Sequence, residues 1–371
     1  MAGNLMTSKD NESYLCFSFQ YYVKPPNKDG SIRGVCREKK CHASITLLNN
    51  QIIKINGNFV EDVNENNIKM SHKDSHPGLK ALSQSKRWQG DGTFSTAPSG
   101  FYQLYTLHGL HMWQMITCLW ILLSGKSEIL NKKMINEIKN GGLKLGLEMR
   151  PEVVMMDFEL AAMNAFSFHF PRIQIKCCFF HLGQSFYRKL CIEGLKEQYK
   201  NDANLRKWVK QVICLALIPV EKVEDVFEQL CMEKPDYNEK IDNFLDYVLL
   251  NYIRNDENDR YVFPLEVWNH YESEKRTNND IEGYNSKLEK FLGTHPNIWL
   301  FINKIKAEES TATLKYMRIN NDTLSYRKRN AVDVDRDLEI QNAKIRYLTN
   351  KINIMEYLNE VSDCVCKYDE V

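Results

Sequence analysis

The sequence predicts an α/β protein with a mixed β-sheet and helices packed against it. Three observations support this class. Strand-like segments follow one another between residues 87 and 123, strands and helices then alternate up to residue 190, and the remainder is almost entirely helical. Consecutive strands followed by alternating strands and helices are typical of a mixed sheet covered by helices.

Composition restricts the class of protein further. The 371 residues carry 49 basic and 48 acidic side chains, so the net charge of +1 does not indicate a nucleic-acid partner, and a DNA surface would have to be a local patch. The most apolar window, residues 112–123, is shorter than the roughly 20 residues that cross a membrane. We find no apolar run typical of a secretory signal at the N-terminus, so the eleven cysteines indicate a reducing compartment.

The N-terminal part has the pattern of a small β-rich module. We expect residues 1–15 to be disordered and the module to cover residues 16–80. Within it, "HASITLLNNQIIKING" contains two β-rich runs joined by Asn49-Asn50, which predicts a hairpin. "HPGLKALSQSKRWQ" is interpreted as a short connection. The strands "RWQGDGTF", "GFYQLYTLHG" and "HMWQMITCLWILLSG" follow it.

Helices and strands alternate in the next part of the chain. Four apolar residues at near-helical spacing predict a helix that ends at Gly141-Gly142: Ile129, Leu130, Met134 and Ile138. "EVVMMD" predicts a buried strand, which is followed by a helix over about 159–168, a strand in "IQIKCCFF" and a helix through "LGQSFYRKL". Segments such as "VEKVEDVFEQL" then predict helices up to about residue 275.

Three carboxylates stand at boundaries between these elements. Asp157 directly follows a buried strand, where an aspartate is commonly a helix N-cap but where side chains also converge on sites in α/β sheets. Asp91 lies between two glycines, and Glu282 lies where a helix should begin. Three carboxylates on separate elements are what a site for two divalent cations requires, although 48 acidic residues allow many such triples. Glu159 is interpreted as a surface or capping residue, with an indirect role left open.

The motifs around these acids resemble those of a known family. "DGTFSTAPSGFYQLYTLHG", "DFELAAMNAF", "CCFFHLGQSFYRKL" and "RTNNDIEGYNSKL" are similar, in order, to the signatures of the Mutator-like (MULE) transposase domain, over about residues 87–310. The resemblance implies a ribonuclease H-like core at 87–190, an all-helical insertion at 191–275, and a last catalytic helix with further helices at 276–371. It also implies a catalytic triad of Asp91, Asp157 and Glu282 that binds Mg²⁺ or Mn²⁺.

Cys178 and His181 form the Cys-x-x-His signature of that family. Their spacing suits half of a zinc site, but a structural zinc site needs four ligands. Structural packing near the catalytic site is the preferred interpretation, and metal binding is left open.

A second set of metal-ligand residues lies in the N-terminal module. Cys36, Cys41, His72 and His76 would complete a tetrahedral zinc site, and so small a module needs such a cross-link to fold. The arrangement resembles a FLYWCH-type zinc finger, and Asp74 is an alternative to His72 as a ligand. Four basic residues around its first turn are candidates for DNA phosphate contacts: Arg33, Arg37, Lys39 and Lys40.

The resemblance implies a nuclear MULE-type DNA transposase, or a domesticated derivative. Its partners would be transposon ends and target DNA, with no membrane and no small-molecule substrate, and its chemistry DNA strand cleavage and transfer. A homodimer, the DNA sequence recognised and present activity are left open. The alternative is a non-catalytic DNA-binding or regulatory protein, because only about ten residues separate the module from the first strand of the core and because Gln89 and Gly90 make that strand polar.

Overall fold

The computed structural model describes residues 76–235, 238–254, 262–273, 275–277, 279–321 and 331–365, together with the backbone of six N-terminal strands. These strands are β1 (Leu5–Thr7), β2 (Ser13–Cys16), β3 (Tyr21–Val23), β4 (Ile32–Cys36), β5 (Ser44–Leu48) and β6 (Gln51–Asn56). β5 and β6 pair in antiparallel orientation, which confirms the hairpin predicted from the sequence. The chain divides into two compact units, Met1–Ile175 with Asn279–Ser325, and Lys176–Asn278 with Tyr326–Val371.

Five more strands follow: β7 (Arg87–Thr93), β8 (Gln103–His111), β9 (Gln114–Leu123), β10 (Val153–Met156) and β11 (Gln174–Cys177). They form a sheet in the order β1-β2-β9-β8-β7-β10-β11, and the first two residues of β11 belong to the first unit. β7, β8 and β9 are antiparallel, whereas β10 runs parallel to β7. The prediction of a mixed sheet is therefore confirmed.

The helices of the described residues are, in chain order, α1 (Pro77–Gln84), α2 (Glu128–Lys144), α3 (Leu160–His169), α4 (Phe179–Ile192), α5 (Lys196–Asn201), α6 (Ala203–Cys214), α7 (Val223–Met232), α8 (Glu239–Val248), α9 (Leu265–Trp268), α10 (Asn279–Leu292), α11 (Ile298–Asn320), α12 (Ala331–Leu348) and α13 (Ile354–Cys364). None of the helices in these ranges is long and apolar enough to cross a membrane.

Helices cover both faces of the sheet in the first unit. Side chains alternate along a strand, so Trp88 and Asp91 of β7 lie on opposite faces. The Trp88 ring packs edge-on against Phe170 at the end of α3, with ring centroids 5.6 Å apart, and α2 packs beside α3. On the Asp91 face, α10 and α11 form a core with β8 and β9 through residues such as Leu104 and Leu288.

Residues 77–84, interpreted from the sequence as a short connection, form helix α1 instead. His76 caps this helix, because its Nδ1 accepts a hydrogen bond of 3.2 Å from the Leu79 N–H. Pro77 at the first helical position has its φ already fixed. A His-Pro-Gly sequence is typical of a turn, which explains the wrong prediction.

Substituting Gly78 with alanine should destabilise the protein. A Cβ at this position would lie 2.1 Å from the carbonyl oxygen of Cys118, a backbone atom of β9 that cannot rotate away. We expect a loss of about 2–3 kcal/mol in the free energy of unfolding, measured by urea denaturation. Gly283→Ala is the control, since nothing lies within 4 Å of its Cβ position in α10 and the change should stabilise that helix by up to about 1 kcal/mol. Equal stability of the two variants would contradict the packing argument.

Gly141-Gly142 do not end helix α2, which continues to Lys144. The end comes at Gly146, whose φ is +69°, and the Leu147 N–H donates a 2.9 Å hydrogen bond to the Gly142 carbonyl. This pattern is the Schellman motif. A Cβ at Gly142 would lie 2.7 Å from Cε of Met149, the end of a flexible side chain, and 3.1 Å from the main-chain oxygen of Leu147.

The second unit is helical and has an aromatic core. The Phe186 ring lies 5.0 Å from that of Tyr252 and 6.2 Å from that of Phe244, centroid to centroid. The Trp208 indole packs on Phe244 and donates to the Leu230 carbonyl at 2.9 Å. The domain boundaries predicted at residues 191–275 and 276–371 stay predictions. The compact units of the structure are instead divided after Ile175, Asn278 and Ser325.

Candidate functional site

Asp91 and Asp157 are neighbours in the sheet. β10 runs parallel to β7 with Met155 opposite Gln89, and each aspartate lies two residues further along its strand direction. The side chains of Met155 and Gln89 share a face, since Sδ and Nε2 are 3.8 Å apart, and side chains two positions on return to that face. Because neighbouring strands are about 4.8 Å apart, the register brings the backbone of Asp157 close to that of Asp91.

Helix α10 brings a third acid and an amide to this face. Asn285 donates a hydrogen bond from Nδ2 to Oδ2 of Asp91. Glu282, which is partly buried, lies three positions earlier on the helix, and side chains three apart share one helix face. Thr106 adds a hydroxyl contact of 3.4 Å to the main-chain oxygen of Asp91. The structure therefore places Asp91, Asp157 and the helix of Glu282 in one unit, around one end of β7.

The glycines on either side of Asp91 accommodate two buried side chains of β8. A Cβ at Gly90 would lie 2.3 Å from the Tyr105 hydroxyl oxygen, and one at Gly92 would lie 2.4 Å from Oε1 of Gln103. The sequence suggested that so polar a strand holds Asp91 poorly. The glycines instead permit close packing behind the acid, while Asn285 fixes its carboxylate.

The comparison with known families concerns this same segment. Residues 87–185 match the model of the MULE transposase domain. The match starts at β7, includes Asp91 and Asp157, and ends inside α4, so Glu282 lies outside it. A search of curated proteins found no match. The MULE domain indicates a transposase or a derivative of one, and it implies DNA as a partner and a divalent metal as a cofactor.

Glu159 lies inside the segment that matches the MULE model, and the sequence predicts a surface or capping residue there. It is the N-cap residue of α3, the position that the sequence suggested for Asp157, but its side chain makes no capping hydrogen bond. Oε1 of Glu159 is buried and has no hydrogen-bond partner in the described part of the chain. Burial raises the pKa of this carboxyl group; the charge of Lys126 lowers the pKa, and that of Asp157 raises it.

The buried hydroxyl group of Tyr105 is also affected by the charges of the acidic residues. Burial raises the pKa of its hydroxyl group, and the negative charges of Glu159, Asp91 and Asp157 raise the pKa further, in that order. Sequence analysis missed Tyr105 and also missed Asn285. Asn285 could have been predicted, because it lies three positions after Glu282 and therefore on the same helix face. The alternating glycines of β7 were a signal that a bulky side chain packs there.

The remaining metal-ligand candidates of the sequence are only partly described. Cys178 is buried and precedes α4, His181 is partly buried in the first turn of α4, and a ligand atom of one lies within 4.8 Å of a ligand atom of the other. Their role stays a prediction. In the N-terminal module, His76 caps α1. Outside the residues whose side chains are described lie Cys36, Cys41, His72, Asp74, Arg33, Arg37, Lys39 and Lys40.

The donors around Asp91 fit a divalent cation. Carboxylate oxygens from Asp91, Asp157 and Glu159 are the hard ligands that Mg²⁺ and Mn²⁺ prefer. The negative charges of all three residues also raise the pKa of the buried Tyr105 hydroxyl group. A cation there would compensate their repulsion, and the unpartnered oxygen of Glu159 would gain a contact.

Substituting Asn285 with alanine should weaken cation binding. The change removes the donor that fixes the Asp91 carboxylate, and the loss of such an outer contact typically lowers metal affinity about 10-fold or more. Isothermal titration of the full chain with Mn²⁺ measures the effect. Asn201→Ala is the control, because Asn201 is exposed and donates to the main-chain oxygen of Glu197 in its own helix. Unchanged affinity in Asn285→Ala would show that Asp91 needs no such support.

Proposed function

We propose that this protein is a DNA transposase, or a domesticated descendant of one, that cleaves and joins DNA strands with two divalent cations. Asp91, Asp157 and Glu282 are the proposed ligands. The observation that supports the proposal is the parallel pairing of β7, which carries Asp91, with β10, which leads directly into Asp157, inside the segment that matches the MULE domain.

The sheet supports the ribonuclease H-like core that the resemblance implies. Three antiparallel strands are continued by a parallel strand, and helices lie on both faces. Asp91 lies on the central strand β7, Asp157 directly follows β10, and Glu282 lies on a helix whose Asn285 contacts Asp91. Groups on strands and helices hold their geometry more precisely than groups on loops, as transfer of a phosphoryl group requires.

The division of labour at the site follows from this geometry. Bound cations would activate a water molecule and stabilise the charge on the phosphate. The three carboxylates would bind the cations and set the distance between them. Asn285 orients the Asp91 carboxylate. The pairing of β7 with β10 on one side and with β8 on the other holds the backbone of this part of the site in place. DNA is the proposed substrate, since a MULE domain implies it as the partner.

We also propose that the N-terminal module is a FLYWCH-type zinc finger that recognises the DNA ends, and that the protein acts in the nucleus. The ligands would be Cys36, Cys41, His72 and His76, with Arg33, Arg37, Lys39 and Lys40 contacting phosphates. The test is the zinc content of the purified full chain and of Cys36→Ser. One zinc per chain in the first and none in the second is expected, and a zinc-free, folded wild-type chain would exclude the finger.

A cleavage assay tests the main proposal. The substrate is a linear duplex that carries the terminal repeats flanking the gene, incubated with the full chain and Mg²⁺ or Mn²⁺. Strand cuts at the repeat ends that disappear with a chelator are expected. Binding of the same duplex without cutting under any of these conditions would instead identify a non-catalytic derivative.

A further inference from the structure

Glu308 is a buried acid on an otherwise apolar side of helix α11. The side of α11 that packs against α10 and the sheet contains Phe301, Ile302 and Ile305. Glu308 is buried and lies three positions after Ile305, so it continues the same stripe along the helix. Burying a carboxylate costs free energy that an apolar side chain in the same place would not cost. Core packing alone therefore does not explain an acid at this position.

The partner of Glu308 is a lysine of α10. Nζ of Lys287 donates to both carboxylate oxygens of Glu308, at 2.9 and 3.0 Å. The side chain of Glu308 is only 10% exposed, whereas that of Lys287 is 57% exposed. A buried carboxylate with one defined partner adds little net stability compared with apolar side chains, but it can select one arrangement of the elements that it joins. The pair thus connects α10 to α11 at one defined point.

Tyr284 connects the same part of α10 to the sheet. Its hydroxyl oxygen accepts a hydrogen bond of 2.7 Å from Nε1 of Trp120 in β9. Its ring packs edge-to-face with the ring of His108 in β8, with centroids 5.4 Å apart. Nζ of Lys287 lies 5.9 Å from the centroid of the Tyr284 ring. Two neighbouring residues on the surface of α10 are therefore held by two strands and by α11.

The proposed third ligand lies on the other flank of α10. Successive residues of an α-helix are about 100° apart around the axis, so Glu282 and Lys287 lie on opposite flanks of the face that contains Ile281, Asn285 and Leu288. This face packs inward, since Ile281 and Leu288 are buried. A helix with its side chains has a radius of about 5–6 Å, so a rotation of about 10° moves the Glu282 carboxylate by about 1 Å. An ion pair on one flank thus controls the position of the acid on the other.

We propose that Glu308 is a positioning residue for the cation site, because its ion pair with Lys287 sets the rotation of α10 and with it the position of the Glu282 carboxylate. This inference rests on the proposed function, in which Glu282 is the third ligand. The contact of Tyr284 with Trp120 supports the same rotation from the sheet. A shift of about 1 Å in a catalytic group can lower a rate about 100-fold, so an ion pair outside the site can decide how well the site works.

The test is isothermal titration of the full chain with Mn²⁺, comparing Glu308→Leu with the wild type. Leucine continues the apolar stripe of α11 and lets the half-exposed Lys287 extend into water, so the metal-free variant should melt at the wild-type temperature or above it. Its Mn²⁺ affinity should nevertheless fall about 10-fold, because the rotation of α10 is no longer fixed. Glu152→Leu is the control: it removes an exposed ion pair with Lys86 in the same unit and should bind Mn²⁺ like the wild type.

A second background shows whether Glu308 acts through α10. In a chain that carries Glu282→Ala and Asn285→Ala, Glu308→Leu should cause no further loss of affinity, since α10 then contributes no group to the cation site. The inference would be overturned, and the proposed function left intact, by an equal loss in that background, by wild-type affinity of Glu308→Leu, or by a metal-free Glu308→Leu that melts well below the wild type. A wild-type chain that does not bind Mn²⁺ would overturn both.

Discussion

Asp157→Asn should lose Mg²⁺- and Mn²⁺-dependent strand cleavage by a factor on the order of 10³ or more while keeping its fold. The substitution preserves shape but replaces a charged ligand by a neutral amide at the end of β10. Metal-free protein should be as stable as the wild type, because Asp157 lies beside other negative charges, among them Glu159. Cleavage of a terminal-repeat duplex measures the loss of activity, Mn²⁺ titration measures the loss of a ligand, and thermal melting measures the stability of the metal-free protein.

Two controls make the result specific. Glu148→Gln removes an exposed carboxylate that forms an ion pair with Arg150, and it should cleave like the wild type. Asp91→Asn should be as inactive as Asp157→Asn, and the double variant should be no worse than either one because the two residues act as one site. Cleavage by Asp157→Asn at more than about a tenth of the wild-type rate would refute the assignment of this carboxylate.

Acidification should destabilise the second unit through His270. Burial, with smaller contributions from the charges of Lys176 and Arg276, lowers the pKa of this imidazole to about 3, although its hydrogen bond of 2.7 Å to the Cys177 carbonyl acts in the opposite direction. An unfolded histidine has a pKa near 6.5. The folded state thus binds the proton more weakly, so the stabilisation is complete above about pH 6.5 and is lost as the pH falls towards 3.

The slope from this residue approaches about 1.4 kcal/mol per pH unit below pH 6, and the expected loss between pH 6.5 and 4.5 is about 2 kcal/mol. Urea unfolding of the full chain at several pH values, followed by tryptophan fluorescence, measures it. His270→Gln keeps an amide donor for the Cys177 carbonyl but does not titrate, so its slope should be flatter by this amount. Other histidines contribute equally to both proteins. Parallel slopes would contradict the burial of a neutral imidazole at this position.

Sequence patterns predicted those parts of the fold that local physics determines. The run Val153–Met156 is apolar over the whole length of a short strand, and the adjacent Asp157 marks its end, so both were readable from neighbours in the chain. Helix α1 was missed because its first residues have strong turn propensity, and its contact with β9 is decided by packing around Gly78. Tertiary contacts outweigh local propensity there.

The same distinction applies to the candidate site. The sequence indicated the acids because their neighbours form recognisable motifs. It did not indicate Tyr105 or Asn285, whose roles depend on which strands and helices meet. The hydrogen bond from Asn285 to Asp91 joins residues 194 positions apart, and no periodicity reports such a pair. The sequence favours a surface or capping residue at Glu159, because nothing in its neighbourhood along the chain indicates that its Oε1 is buried.

The first unit is discontinuous in the chain, since Met1–Ile175 is completed by Asn279–Ser325. During synthesis, Asp91 and Asp157 therefore emerge and pair in their strands well before α10 exists. Closing the contact between Asn285 and Asp91 carries the entropy cost of a long loop, which makes it a late step of folding. A chain that stops before residue 279 would contain Asp91 and Asp157 but neither Glu282 nor Asn285, the α10 residue that donates to Asp91. A partly synthesised chain would thus lack the proposed third ligand, and the proposed site could form only in the nearly complete chain.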